Sequence, residues 1–351
     1  MPKRRTNSMP YKGSWIDRFF ILVERLPLPP TFVYLLGYFA CVMAYHIILW
    51  TSGALPMGEF SQGILFTIVF WIFLQMAAFH YFQNQAEAAL TLFRPALDVN
   101  DREFEKLRFS FVNFSAGRAL IGALVSIALA LGMFFGAFEI LSPMFKATPL
   151  ASALTILILF GAPFAFGFFY FVFRSLVGIN RLYRKVKHIN LFNLRPLYVL
   201  SRFTSRVGML FILYLVVNSL TTGAWGSQES GEAIASFYVV YNGVIAVLAF
   251  VLPLWGIHVR LAMAKEAAAT ENNQMIQEHF SAIQKNVKQG KLDKVASLRA
   301  GNAALLEYRQ ELSKISTWPW DTATLRTFIT ALLVPMTVWI VQQVLTRTIV
   351  R

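Results

Sequence analysis

The chain has 351 residues, of which 56% are hydrophobic and only 14% are charged, and its formal net charge is +14. Soluble domains carry nearer a quarter charged residues, so this composition excludes a soluble catalytic domain and predicts an all-α integral membrane protein. A single cysteine, Cys41, excludes an internal disulfide.

Seven apolar stretches reach the length of about 20 residues that a membrane-spanning helix needs. They are residues 31–50, 62–82, 117–141, 149–178, 206–225, 233–263 and 322–350. We therefore predict seven transmembrane helices. We expect the basic segment 1–30 to be cytoplasmic. We expect the first span to be retained, because its apolar run is too long for a cleaved signal peptide.

Basic residues are distributed very unevenly between the two sets of connecting segments. All but three of the 32 Lys and Arg lie in segments 1–30, 83–118, 174–206 and 260–326; the exceptions are Lys146, Arg347 and Arg351. The positive-inside rule then places the N-terminus inside and the C-terminus outside. This distribution favours anionic inner-leaflet lipid over nucleic acid as the partner of the basic face. Short loops favour a multi-pass protein of a prokaryotic cell membrane.

Two of the inner segments carry helical patterns. In segment 174–206, Leu182, Val186 and Leu197 predict helix packed against the inner leaflet or against neighbouring inner segments. Residues 264–321 predict a cytoplasmic helical hairpin around Gly290, which would be a solvated stalk, an anchor or a partner-binding site.

The last span, within residues 322–351, carries a stripe of small and β-branched residues. Its members follow at alternating intervals of four and three: Ala323, Thr327, Thr330, Val334, Thr337, Val341, Val344 and Thr348. This spacing keeps all of them on one face of a helix, with Pro335 as a hinge and Asp321 or Thr322 as the N-cap. Such a face either packs closely against another helix or lines a water-filled path shared by several copies.

Polar and aromatic residues elsewhere give weaker indications. No span carries a carboxylate or an arginine ladder near its centre, and the five histidines do not pair at metal-binding spacing, so we expect no enzyme activity, cofactor or metal. An outer vestibule would use Glu229, Glu232, Gln342 and Gln343. A pocket for a small-molecule ligand would use Trp50, Trp225, Tyr238 and Tyr241.

The order of these elements resembles the insect olfactory and gustatory receptor-type ion channels and their distant seven-span relatives. The shared features are the inside N-terminus, short outer loops, a sixth span that continues into cytoplasmic helices, and a seventh span that restarts from them. The likeness is one of topology, since Gln342-Gln343 is followed by Val344 and not by the terminal signature of the insect proteins. It implies cytoplasmic helices that anchor a tetramer and seventh helices that line a central cation pore.

These observations lead to a homo-oligomeric, cation-conducting channel as the principal hypothesis, with a tetramer expected and ligand gating as an option. The stripe from Thr327 to Val344 would line the path, and Val334 and Val341 would form apolar constrictions. One alternative is a membrane sensor or adaptor that signals through the hairpin. Another is a carrier for a neutral or apolar solute.

Overall fold

The computed structural model describes residues 13–60, 64–136, 152, 161–186, 189–221 and 228–349. Within them the regular structure is helical, apart from two isolated bridges that join Gly13 to Ser115 and Leu97 to Val186. The predicted all-α fold is confirmed.

The helices of the described residues are numbered here in chain order. The first six are α1 (Trp15–Glu24), α2 (Pro30–Thr51), α3 (Ile64–Phe93), α4 (Asp101–Val112), α5 (Ala116–Gly136) and α6 (Ala162–Arg184). The next five are α7 (Arg195–Thr221), α8 (Gln228–Val251), α9 (Trp255–Lys288), α10 (Leu292–Lys314) and α11 (Thr322–Ile349). Single 3₁₀ turns, Arg94–Ala96 and Leu252–Leu254, follow α3 and α8.

Six described stretches are long and apolar enough to cross a membrane: Pro30–Thr51, Phe66–Ala96, Ala162–Arg184, Arg195–Asn218, Val239–Lys288 and Thr322–Val341. They overlap every predicted span except the third. That one falls on α5, whose described apolar part, Ala116–Gly132, is shorter, and its residues 137–141 lie outside the described part of the chain. The chain is therefore a multi-pass membrane protein, while the seventh crossing and the orientation stay predictions.

Residues from separate basic segments meet at one end of the helix bundle, which we call the basic end. Arg260 donates to the carbonyl oxygens of Tyr183 and Val186, the latter at 2.8 Å. The backbone N–H of Asp98 lies 3.4 Å from the carbonyl oxygen of Lys185. These bonds join the ends of α3, α6 and α9, so segments distant in sequence share one surface.

Much of the described part of segment 174–206 packs into the protein. Leu182, Val186 and Leu197 are all buried in the main hydrophobic core. Of the two arrangements predicted for this segment, the structure shows packing against neighbouring elements. The buried residues of this segment lie at the end of α6 and at the beginning of α7.

The helical hairpin is formed by α9 and α10. Pro253 lies in the 3₁₀ turn that separates α8 from α9, where its missing N–H interrupts the helical hydrogen bonds. Gly290, at φ +71°, reverses the chain between α9 and α10. The amine of Lys265 caps the end of α10 by donating to the carbonyl oxygens of Ser313 (2.9 Å) and Ile315 (2.7 Å).

One aromatic side chain fixes α11 against the bundle. The Phe328 ring is buried, and its centroid lies 4.5 Å from that of Phe250 on α8. It fills a notch at Gly208 of α7, where a Cβ atom would lie 2.6 Å from Phe328 Cε2 and 2.8 Å from the carbonyl oxygen of Ala246. Helices α7, α8 and α11 therefore meet where only glycine leaves enough room.

Gly208→Ala is expected to destabilise the protein by about 1–3 kcal/mol, because the added methyl group must displace Phe328 or the α8 backbone. The measurement is the thermal unfolding midpoint of the purified protein in detergent. Gly243→Ala on α8 is the matched control, since its Cβ would meet only Met336 Sδ, at 3.9 Å. An equal loss in both variants would contradict the proposed notch.

Candidate functional site: the exposed face of the last helix

Every described side chain of the stripe on α11 is exposed. Val334, Val341 and Val344 keep 58%, 50% and 56% of their surface. Ala323, Thr327, Thr330 and Thr337 are exposed as well. Phe328 projects from the opposite side of the helix and is buried. Among the described residues, the stripe thus faces away from the core on which Phe328 and Leu332 pack.

The first turn of α11 is held by Asp321, which the structure shows to be the N-cap. The Thr324 backbone N–H donates to Asp321 Oδ1 at 2.7 Å. On the other carboxylate oxygen, Oδ2, Arg202 of α7 donates from Nη2 at 3.0 Å and from Nε at 3.2 Å. Burial opposes ionisation of this carboxyl, but the hydrogen bonds from Thr324 and Arg202 outweigh it and lower the pKa of Asp321.

An aromatic stack joins the hairpin to α11. Trp318 lies between the His258 imidazole and the Trp320 indole, at centroid distances of 3.9 and 4.3 Å with nearly parallel planes. His258 Nδ1 lies 3.1 Å from the carbonyl oxygen of Thr317, so this nitrogen is the donor. Trp320 also contacts Phe250, the neighbour of Phe328. A series of packed rings therefore connects the beginning of the hairpin to the start of α11.

Other residues predicted for the site lie in several places. Pro335 is inside α11, which continues as helix beyond it to Ile349. Residues Glu229 and Glu232 belong to the first turns of α8, and Gln342 and Gln343 to α11, but these four side chains lie outside what the structure describes. The hinge and the outer vestibule stay predictions.

The predicted ligand pocket is described only in part. Trp50 donates from Nε1 to the carbonyl oxygen of Glu59 at 2.7 Å and contacts Phe60, both in the loop that follows α2. Tyr241 stacks on Phe237 of its own helix, α8. Trp225 and the Tyr238 side chain lie outside the described part of the chain. Trp50 and Tyr241 therefore contact different residues.

A buried carboxylate at the N-terminal helix was not predicted from the sequence. Asp17 Oδ1 accepts from Gln83 Nε2 (2.7 Å) and Asn113 Nδ2 (3.0 Å), and Oδ2 accepts from Ser14 Oγ (2.8 Å). Arg174 of α6 donates to the Asn113 carbonyl oxygen at 2.9 Å. This cluster joins α1 to α3, α6 and the end of α4.

A second polar chain binds α1 to the first two spans. His80 Nε2 lies 3.1 Å from Glu24 Oε1, so it carries the proton and leaves Nδ1 as the acceptor for the Tyr34 hydroxyl at 3.0 Å. Phe20 stacks on the imidazole at 4.7 Å. His80 is thus the centre of a phenol–imidazole–carboxylate chain.

The sequence did contain a signal for α1. Ser14 and Asp17 form a capping box, with both reciprocal hydrogen bonds present. Ile16, Phe20 and Val23 follow on one face and are buried. A serine three residues before an acidic residue, at the start of an apolar run, predicts such a helix start.

No protein-family profile, no curated protein and no solved structure matches the chain. In the part of the chain that the structure describes, no group of three or more His, Cys, Asp or Glu side chains could hold a metal ion.

Asp321→Ala is expected to cost about 1 kcal/mol of stability through loss of the N-cap, whereas Asp321→Asn should cost less because asparagine also caps helices. Because the folded-state pKa is lowered, the contribution that depends on charge is present at neutral pH and is lost as pH falls below about 4. Unfolding midpoints of wild type and Asp321→Asn should therefore converge at acidic pH. A gap between them that stays constant with pH would contradict the role of the carboxylate.

Proposed function

We propose that this protein is a homo-oligomeric, cation-conducting channel in which the α11 helices of several copies, with a tetramer expected, surround a shared pore. The observation that carries the proposal is the exposed stripe of α11, which contains only alanine, threonine and valine. Acidic residues Glu229 and Glu232, near the outer end of the predicted path, suit a cation.

Exposed faces of other spans have a different composition. On α2 the exposed side chains include Phe32, Leu35, Leu36 and Phe39, and on α5 they include Leu120, Ile121 and Leu124. Long aliphatic and aromatic side chains are what contact with lipid tails favours. The stripe itself has none of these, although Ile329, Leu333 and Ile340 are exposed beside it. This supports contact of the stripe with water or with a second copy of the chain.

Larger residues lie beside the stripe and suit contact between copies. Ile329, Leu333 and Ile340 are about half exposed and follow one another on an adjacent face of α11. If this flank packs on the neighbouring copy, the stripe turns toward the common axis. Its threonine hydroxyls would then contact water, and rings of Val334 and Val341 would be narrow apolar constrictions that can gate by dewetting.

Cysteine cross-linking tests the assembly. In a Cys41→Ala background, Thr330→Cys is expected to form disulfide-linked dimers on oxidation in membranes, because equivalent residues would approach each other across the axis. Leu332→Cys, on the side of α11 packed against the core, is the control and should remain monomeric. Linking that is equal in both variants, or a purified particle of a single chain, would exclude a shared pore.

Currents in planar bilayers test the pore itself. Val341→Ser is expected to raise basal conductance several-fold by wetting a constriction, and Thr337→Ala to change ion selectivity. Val125→Ser makes the same replacement on the exposed face of α5, where Val125 is 53% exposed, and should leave currents unchanged. If none of the α11 variants differs from wild type, α11 does not line a pore.

A sensor or adaptor is the second candidate, because the hairpin also exposes apolar side chains. Phe280, Val287 and Leu292 keep 49%, 54% and 69% of their surface. These residues fit a docking face for another protein, or for the hairpins of neighbouring copies. A monomeric particle whose hairpin still captures a partner would favour the adaptor.

A further inference from the structure

A groove opens at the basic end, between α3 and α11. Its floor is the first part of α7, and its walls are the end of α3 and the start of α11. The cavity measures about 780 Å³ and is lined by Leu92, Arg195, Pro196, Tyr198, Val199, Arg202, Asp321 and Ala323. Three of the helical stretches that are long and apolar enough to cross a membrane, Phe66–Ala96, Arg195–Asn218 and Thr322–Val341, begin or end here. This position suits the boundary between bilayer and water.

The polar part of the groove is basic. Arg195 and Arg202 are two helical turns apart on α7, and Arg206 continues the same exposed face. Arg202 is paired with Asp321, and Arg206 donates to Gln85 Oε1. Arg195 is exposed and has no acidic partner among the described residues. One full positive charge at the mouth of the groove is thus uncompensated.

The rest of the groove is apolar. Leu92 is 63% exposed at the end of α3, and Val199 lies beside it on the floor. Farther along α7, beyond the arginines, Leu213 is 44% exposed. Leu213 lies on the same face of α7 as Arg195, about 27 Å farther along at 1.5 Å per residue, and outside the groove. An arginine at the mouth of the groove with aliphatic side chains beside it suits the phosphate and the first part of an acyl chain of a phospholipid.

We propose that this groove is a binding site for an anionic phospholipid. The phosphate would accept hydrogen bonds from Arg195 and the Tyr198 hydroxyl, and an acyl chain would cover Leu92 and Val199. Since Arg202 also lines the groove, the bound headgroup lies next to the pair that caps α11. Binding itself does not depend on whether α11 lines a pore.

The test measures lipid binding to the full-length protein in detergent by native mass spectrometry and by thermal unfolding. Phosphatidylglycerol should bind and raise the unfolding midpoint, whereas phosphatidylcholine should raise it much less. Arg195→Gln should weaken phosphatidylglycerol binding about tenfold, because it removes a charge-assisted hydrogen bond. Arg195→Lys, which keeps the charge, should retain most of the binding. An unchanged midpoint without lipid shows that the variants fold.

Arg184→Gln is the matched control. Arg184 ends α6 at the same basic end, is also exposed, and loses the same charge. Full phosphatidylglycerol binding in this variant supports a discrete site. Equal weakening in Arg184→Gln and Arg195→Gln would overturn the proposal in favour of diffuse attraction. Stabilisation by inorganic phosphate equal to that by phosphatidylglycerol would also overturn it, because the apolar wall would then have no role.

Discussion

The contact of Phe328 with Gly208 determines which side of the last helix is available. A ring that enters a notch with no Cβ atom permits little rotation of α11 about its own axis. Asp321 and Arg202 fix the beginning of the same helix on α7. With the orientation set by these two anchors, all the described threonines and valines of the stripe point away from the bundle. The channel proposal rests on this single-sided attachment.

The hairpin, the groove and the start of α11 all meet at the basic end. Arg260 holds α9 to the end of α6, and the Trp318 stack links the hairpin to α11. The groove beneath α11 opens at the same end and shares Asp321 with the N-cap. The hairpin, the groove and the start of the last helix are therefore connected by a few side-chain contacts.

Local patterns predicted a large part of this arrangement. The spacing of the stripe, the N-cap at Asp321 and the turn at Gly290 are each written within a few residues of sequence, and the structure shows the cap and the turn directly. The distant partners of Asp17 and His80 could not be predicted, because they lie 46 to 96 residues away. Single histidines and aspartates reveal such pairings only once helix packing is known. The sequence could not decide whether Val186 and Leu197 face lipid or protein, because helical periodicity does not distinguish the two surfaces. The structure shows both side chains buried.

The attachment of α1 has a consequence for biogenesis. Two partners of the Asp17 carboxylate, Gln83 and Asn113, are translated 66 and 96 residues after it. Until they have been made, the Asp17 carboxyl group lacks two of the hydrogen bonds that satisfy it when it is buried. Docking of the N-terminal helix must therefore wait for the second span and the segment after it. We therefore expect α1 to reach its final packing late, after α3 and the end of α4 are in place.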